Sequence, residues 1–537
     1  MTNIQQHYDT IIIGSGMGAL ACASLLAQRQ KQRVLILERH FKVGGFTHAF
    51  VRKGRYEWDV GIHYIGDMGK GMQSRAVFDY ITQGQVKWQK LPDCYDCFEF
   101  PDFSFAARSG KRNLQNDLID QFPHEKKAID QYFVDLKRAG KWFQNHVLQS
   151  AMPAGLNQIG NLLKRGENDL ALMTTRDYLD THFTDPRLKA VLVSQWGDYG
   201  LPPAQSAFVM QALVAGHYLK GAWFPVGGGK VIASSIVPII EQAGGKVLVN
   251  HTVQEILIQD KQAVGVRVLH QKGNQQIEKT FFADTIISNA GAILTYLKLI
   301  PPEIEIPFRA EIRDFPDSMG HVTLHVGFKD DPRQLGFQGE NHWMFASLDH
   351  DVNNARRNEL LNGEVSLCFM SFPSMKNPQA RGHTAELIAP VDAEPFREWH
   401  DAAWLKRGTE YDDLKARISQ ALLDFVEARY PGFRDLIDYT ELSTPLTTEH
   451  FTGFKNGAIY GLPGVPQRFQ MKWLGPRTPI KNLYLTGADA MAPGLVGALN
   501  SGVLTASLIL GLRGNFLKLI ADARKYSEAL PEEEEER

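Results

Sequence analysis

Short unbroken apolar runs and helical stripes alternate along the chain, and glycines mark many of the changes. Thr10–Ile13 reads as a continuous strand, the pattern of a parallel strand buried on both faces. Gly14, Gly16 and Gly18 follow, then an Ala/Leu helix over Ala19–Gln28 and a second strand at Arg33–Leu37. From Asn113 to about Arg165 the pattern is mostly helical, and Arg176–Ala222 continues in that style. A glycine turn then leads into a helix at Val231–Gln242, a Gly-Gly stop, a strand at Lys246–Leu248 and a hairpin through Val264–His270. Ala283–Gly291 is another buried strand with a glycine exit. Residues 315–450 mix strands (His321–Phe328, Glu364–Phe372) with a helix at Tyr411–Tyr430, and Asn482–Leu512 reads as strand, loop and apolar helix.

Nucleotide-fold signals thus occur at three separated places. They predict one discontinuous cofactor domain (1–70, 223–298, 479–520) with a second domain inserted as a helical block (71–222) and a sheet-bearing block (299–478). The segment 521–537 is read as a tail whose acidic run is solvated.

Composition narrows the function classes. The net charge of −2 gives no electrostatic reason to expect nucleic acid. Four cysteines are too few for a disulfide framework and fit a reducing compartment. Cys94 and Cys97 have redox-motif spacing without a βαβ pattern around them, so a chance pair is expected. No stretch approaches the roughly 18 apolar residues of a spanning helix, and no basic segment precedes Ile11–Ile13 to suggest a signal peptide. A cytoplasmic protein is expected, with rest on a membrane surface left open.

The chemistry begins at Gly14-Ser15-Gly16-Met17-Gly18-Ala19. In this GxGxxG/A pattern Gly14 allows the turn, Gly16 lets the backbone approach a pyrophosphate, and Ala19 permits close helix–strand packing. The helix N-terminus offers free N–H groups to phosphate. Glu38, ending the next strand, is placed to accept hydrogen bonds from a ribose 2′-OH and would repel a 2′-phosphate. Gly44-Gly45 soon after, and the Thr486–Asp489 turn with the helix opened by "PGLVGALNSG", resemble the turns of flavoproteins of the amine oxidase and phytoene desaturase type, a likeness that implies a flavin rather than a nicotinamide. A helix N-terminus there would stabilise the negative charge of a reduced flavin.

With "GSGMGALACASLLA", "WDVGIHYIGDM", "QWGDYGLPPAQSAF", "HYLKGAWFPVGGG", "STPLTTEHFTGFKNGAIYGL" and "NLYLTGADAMAPGLVGALNSGVLTA", the chain resembles the retinol saturase and carotenoid isomerase branch of the phytoene desaturase-like flavoproteins, over nearly its whole length. The resemblance implies an α/β fold, a discontinuous FAD-binding Rossmann-type domain with an inserted mixed α+β substrate domain. It implies FAD contacts at Gly14, Ser15, Gly16, Met17, Gly18 and Ala19, at Glu38 and Arg39, and at Gly44, Gly45, Phe46 and Thr47. Gly61, Ile62, Val253, Asn289, Gly487, Asp489, Gly494 and Val496 complete the set. The implied substrate is a long apolar polyene or isoprenoid, saturated at a carbon–carbon double bond. Isomerisation or desaturation, an acyl-chain substrate, and a lipid-binding flavoprotein without turnover are the alternatives.

The flavin carries the redox step, so the protein needs a proton donor or acceptor, or a dry wall. His63 and Tyr64 are the first candidates, and Glu449 and Tyr460 the second. Trp196, Tyr199, Phe208, Tyr218 and Trp223 are read as core or as a polyene tunnel. Gly227–Gly229 lacks the spacing of a second nucleotide site and reads as a packing turn, which implies a separate electron donor. No metal-ligand spacing is present. Two stretches mix aromatic and basic residues as a membrane landing face would, Lys126–Phe143 and Gln467–Arg477, with plain charged surface as the alternative.

Overall fold

The computed structural model describes residues 7–150 and 165–531. The acidic run after Pro531, and the part of the helical stretch over 151–164, lie outside the described residues. Two seven-stranded sheets organise the chain. The first runs His251–Gln259, Gln262–Lys272, Gln275–Ser288, His7–Ile13, Val34–Leu37 and Lys246–Leu248, with Leu483–Leu485 also paired to Gln275–Ser288. Ile11, Ile12, Val34, Leu35 and Ile36 are fully buried because helices cover both faces of its parallel part. Gln275–Ser288 changes partners along its length, antiparallel to Gln262–Lys272 up to Phe282 and parallel to His7–Ile13 from there on.

The helices Met17–Gln30 and Leu495–Leu510 pack closely at Gly18 and Gly502. A Cβ on Gly502 would come within 2.4 Å of the Gly18 carbonyl oxygen, so this crossing requires glycine. The helix Lys230–Gln242 carries Pro238 in its interior and covers the opposite edge.

The second sheet runs Ile437–Ser443, Gly320–Phe328, His383–Val391, Leu367–Ser371, Asn341–Phe345, Cys94–Glu99 and Ser104–Arg108. Thr409–Glu427 packs on it through Ile418, Leu422 and Val426. Its pairing of Asn341 with Asp96 joins segments about 245 residues apart in sequence. The fold class is the expected one, an α/β dinucleotide-binding domain interleaved with a mixed α+β domain, but the segment read as a tail from 521 continues the helix Phe516–Ala529, which buries Ala523 and Ser527.

The landing-face expectation fails on burial. Phe133, Trp142 and Phe143 on the helix Lys126–Ser150 are buried, as are Arg468, Phe469 and Met471 in the second stretch, where Lys472 is exposed and Trp473 and Leu474 are half-buried. The aromatic stripe of the helix belongs to the core, where Trp142 and Phe143 meet Phe469 edge-on, and the exposed face carries the cations with Gln131, Val134 and Gln144. Among the described residues no helix is long and apolar enough to cross a membrane.

Candidate active site

A cavity of about 920 Å³ lies between the two sheets. Two helix N-termini open on it, those of Met17–Gln30 and Leu495–Leu510, and neither has a side-chain cap. Their first N–H groups are therefore available to a ligand with phosphate or an anionic ring edge. Gly16 and Gly494 occupy the two N-cap positions, and nothing lies within 4 Å of the place a Gly494 Cβ would take. Gly45, at φ +56°, would bring a Cβ within 2.9 Å of Gly16 Cα, so the Gly-Gly turn and the first turn touch backbone to backbone.

Glu38 ties these turns together. Its Oε2 accepts from the Ser15 N–H at 2.8 Å and the Ser15 hydroxyl at 2.7 Å, and its Oε1 accepts from the His40 N–H at 2.7 Å. Ser15 Oγ in turn accepts from the Gly44 N–H at 3.0 Å. At the other end Asp489 accepts from the Ala292 and Leu462 N–H groups, each at 2.7 Å, and so joins three chain segments. Asn289 fills the space between Gly16 and Gly487.

Gly14, Ser15, Gly16, Met17, Glu38, Arg39, Gly44, Gly45, Phe46, Thr47, Gly61, Val253, Asn289, Gly487, Asp489 and Gly494 all line this cavity. Gly18, Ala19, Ile62 and Val496 stand behind its wall. For Gly18 and Ala19 the reason is packing, since both are buried against neighbouring backbone. The glycine turns and the two uncapped helix N-termini fit a dinucleotide.

His63 faces the cavity, and its Nδ1 is 3.0 Å from Glu386 Oε2. Burial alone would raise the Glu386 carboxyl, but hydrogen bonds from His325 and His63 outweigh it and take it down to about 2. His321 is pulled down to about 4 by burial, and its Nδ1 and Trp343 Nε1 are buried on this wall without a partner among the described residues. Tyr460 also lines the cavity, with its hydroxyl donating to the Gly197 carbonyl at 2.8 Å. Tyr64 lies behind the wall, its hydroxyl oxygen within hydrogen-bond distance of both Asp198 and Asp96. Glu449 does not line the cavity and stands 3.5 Å from His400.

Of the five aromatics weighed as a tunnel, Trp196 lines the cavity, whereas Tyr199, Phe208, Tyr218 and Trp223 are packed in the core. Trp343 and Phe369, which the sequence did not single out, complete the aromatic wall, with ring centroids 4.4 Å apart. Both sit in short strands among apolar neighbours and carry no local signal. Gly227–Gly229 is a packed turn in which the Gly229 N–H donates to Asp59 Oδ1 at 2.6 Å. Cys94 and Cys97 come together on a bulged strand with sulfurs 3.6 Å apart.

Residues 12–81 match the family model of the NAD(P)-binding Rossmann-like domain. The all-trans-retinol 13,14-reductase of Danio rerio is 33% identical, with 95% of this chain and 87% of that protein covered. A chloroplastic prolycopene isomerase of an Oncidium hybrid cultivar is 25% identical, over 93% of this chain and 83% of its own. Among solved structures, a putrescine oxidase redesigned in its cofactor binding superposes with a TM-score of 0.59 at 14% identity, over 94% of this chain and 100% of its own. The likeness to the Danio rerio reductase covers 95% of the chain, and the chain belongs to the all-trans-retinol 13,14-reductase family of oxidoreductases.

Proposed function

We propose that this protein is an FAD-dependent saturase that adds hydrogen across a carbon–carbon double bond of a retinoid- or carotenoid-like polyene. The observation that carries this reading is one cavity that runs from two uncapped helix N-termini to a wall of Trp196, Trp343 and Phe369. Gly14, Gly16, Gly44 and Gly45 would hold the pyrophosphate, Glu38 and Val253 the adenosine, and Asn289, Gly487 and Asp489 the ribityl chain. The N-terminus of Leu495–Leu510 would meet the pyrimidine edge of the ring. When bound, the flavin supplies the hydride. The chain's own part is to hold an apolar chain dry, to place it, and to deliver one proton. His63, oriented by Glu386, would face the ring system.

The test is anaerobic. Protein loaded with FAD and photoreduced is given all-trans-retinol or a carotenoid in detergent. A product two mass units heavier, with the flavin reoxidised, is expected. A product of unchanged mass with the flavin still reduced would favour the second reading, an isomerase, which the prolycopene isomerase likeness supports. Electrons would come from a separate reductase or small donor.

Substrates of this kind reside in bilayers. Phe41, Trp404 and Leu405 are exposed at the cavity rim, where Trp404 stacks on His450 and meets Phe451, and Arg407 and Lys415 also line the cavity. We assign membrane contact to this rim. Trp404→Ser with Leu405→Ser should lower binding to anionic liposomes several-fold and leave flavin content intact. Equal binding by the double variant would move the contact elsewhere.

A further inference from the structure

Behind the aromatic wall lies a buried polar cluster that the cofactor site does not use. The short helical segment Ser194–Asp198 supplies two of its members. Gln195 Nε2 donates to Asp96 Oδ2 at 2.7 Å, and Asp198 reaches Tyr64. Tyr64 Oη lies 2.8 Å from Asp198 Oδ2 and 3.1 Å from Asp96 Oδ2. Asp96 also accepts from Asn341 Nδ2 at 2.9 Å, and Asn341 Oδ1 accepts from the Lys376 ammonium. Asp198 alone of these groups lines the large cavity, beside Trp196, Gly197 and Tyr460. Lys376 lines a second, polar cleft of about 520 Å³.

Hydrogen counting bears on the protonation. Tyr64 has one hydroxyl hydrogen and two carboxyl oxygens within hydrogen-bond distance. One of the two contacts therefore needs a hydrogen from a carboxyl. Asp96 already has donors in Gln195 and Asn341 and is balanced by Lys376, so it is the ionised member. Asp198 has only Tyr218 besides Tyr64, and no bond that leads to a cation, so it is the member to which the proton is assigned.

We propose that the Asp198 carboxyl is the proton donor to the double bond, and that Tyr64 carries a proton back to it from the Asp96 side. This rests on the saturase reading. One alkene carbon receives hydride from the cofactor, and its neighbour receives the Asp198 proton. The π bond is replaced by two C–H bonds. The Asp198 carboxylate that remains takes the Tyr64 hydroxyl hydrogen, and Tyr64 takes its replacement from Asp96 after that carboxylate has itself been protonated, so that one solvent proton is consumed per turnover. The charge environment agrees. Burial, and then the negative charge of Asp96, push Asp198 up to about 8 against the relief from Tyr64, Tyr218 and Lys376. Asp96 is raised by burial only to about 6, because Asn341, Gln195 and Tyr64 donate to it. Lys376 is pulled down to about 7 by burial, against the negative charges of Asp96 and Glu386.

Two measurements test this. In cofactor-free protein at neutral pH, difference infrared spectra between wild type and Asp198→Asn should show one protonated carboxyl C=O band that Asp198→Asn removes and Tyr64→Phe shifts. In photoreduced, FAD-loaded protein given all-trans-retinol, Asp198→Asn should slow single-turnover flavin reoxidation by about 10²–10⁴-fold, with Asp198→Glu recovering part of the rate. Tyr64→Phe should keep the first turnover and slow later ones, since the first proton is already on Asp198. No carboxyl band at neutral pH overturns the proposal, whether or not any alkene is turned over. So does wild-type single-turnover speed in Asp198→Asn, or a loss found in His63→Gln instead. If wild type itself reduces no polyene, the saturase reading fails, and the infrared band still decides where the proton sits.

Discussion

Changing Glu38 to Gln separates what this side chain does for the fold from what it does for the cofactor. Glu38 is 6% exposed, and three donors converge on it, the Ser15 N–H, the Ser15 hydroxyl and the His40 N–H. Glutamine has the same shape but carries hydrogens on one of its two ends. If its oxygen keeps Ser15, its NH₂ faces the His40 N–H, and that contact must open. A buried donor left unmet costs about 1–3 kcal/mol, and each remaining bond falls from charge-assisted to neutral strength, about 1 kcal/mol less. The sum is about 3–5 kcal/mol. Ser15 also accepts from Gly44, so the loss reaches the Gly-Gly turn. Urea unfolding of cofactor-free protein, followed by tryptophan fluorescence, should show the earliest transition moved to lower urea by that amount. FAD affinity should fall as well. If the cofactor-free variant unfolds at the wild-type midpoint while only FAD affinity drops, the three bonds do not support the fold and the reasoning is wrong.

Three further outcomes are expected. Gly18→Ala places a Cβ 2.6 Å from the Gly487 nitrogen and 2.9 Å from Asn289 Oδ1, so it should destabilise by about 1–3 kcal/mol, and an unchanged thermal melt would show that the helix can shift without cost. Glu386 is held at about 2, below its usual 4.5, so its stabilisation is present above pH 4.5 and is lost as pH falls toward 2. Wild type and Glu386→Gln should therefore converge in urea stability across that window, and a gap that stays constant would refute the dyad with His63. NADPH alone should leave the bound flavin oxidised under anaerobic conditions, and rapid bleaching would reveal a donor site in this chain.

The first strand, the glycine turn and Glu38 were legible because their signal is local. An unbroken apolar run, three glycines and an acid at fixed spacing need no knowledge of the rest of the chain. The proton-bearing cluster was not legible as a cluster. Asp96 and Asn341 meet only through pairing of strands about 245 residues apart, and Asp198 looks like any acid in a glycine-containing segment. Tyr64 was visible beside His63 but faces the other way, as alternation along an extended segment allows. The misread landing face has a similar cause. A periodic stripe with Phe133 and Trp142 says that something covers it, and only the packing shows that the cover is Phe469 rather than lipid.

The partner change along Gln275–Ser288 sets an order on synthesis. Its first half closes a local hairpin with Gln262–Lys272, which can form as soon as both strands exist. Its second half pairs on one side with His7–Ile13, made at the start, and on the other with Leu483–Leu485, made near the end. Until translation passes that last strand, the Ile286–Ser288 edge is bare and the apolar face of Met17–Gln30 lacks the helix Leu495–Leu510. A nascent chain stalled before residue 483 thus exposes both an unpaired strand edge and an uncovered helix. Such a chain lacks one of the two N-termini that open on the cavity, so the cavity wall is complete only once the helix Leu495–Leu510 has been made.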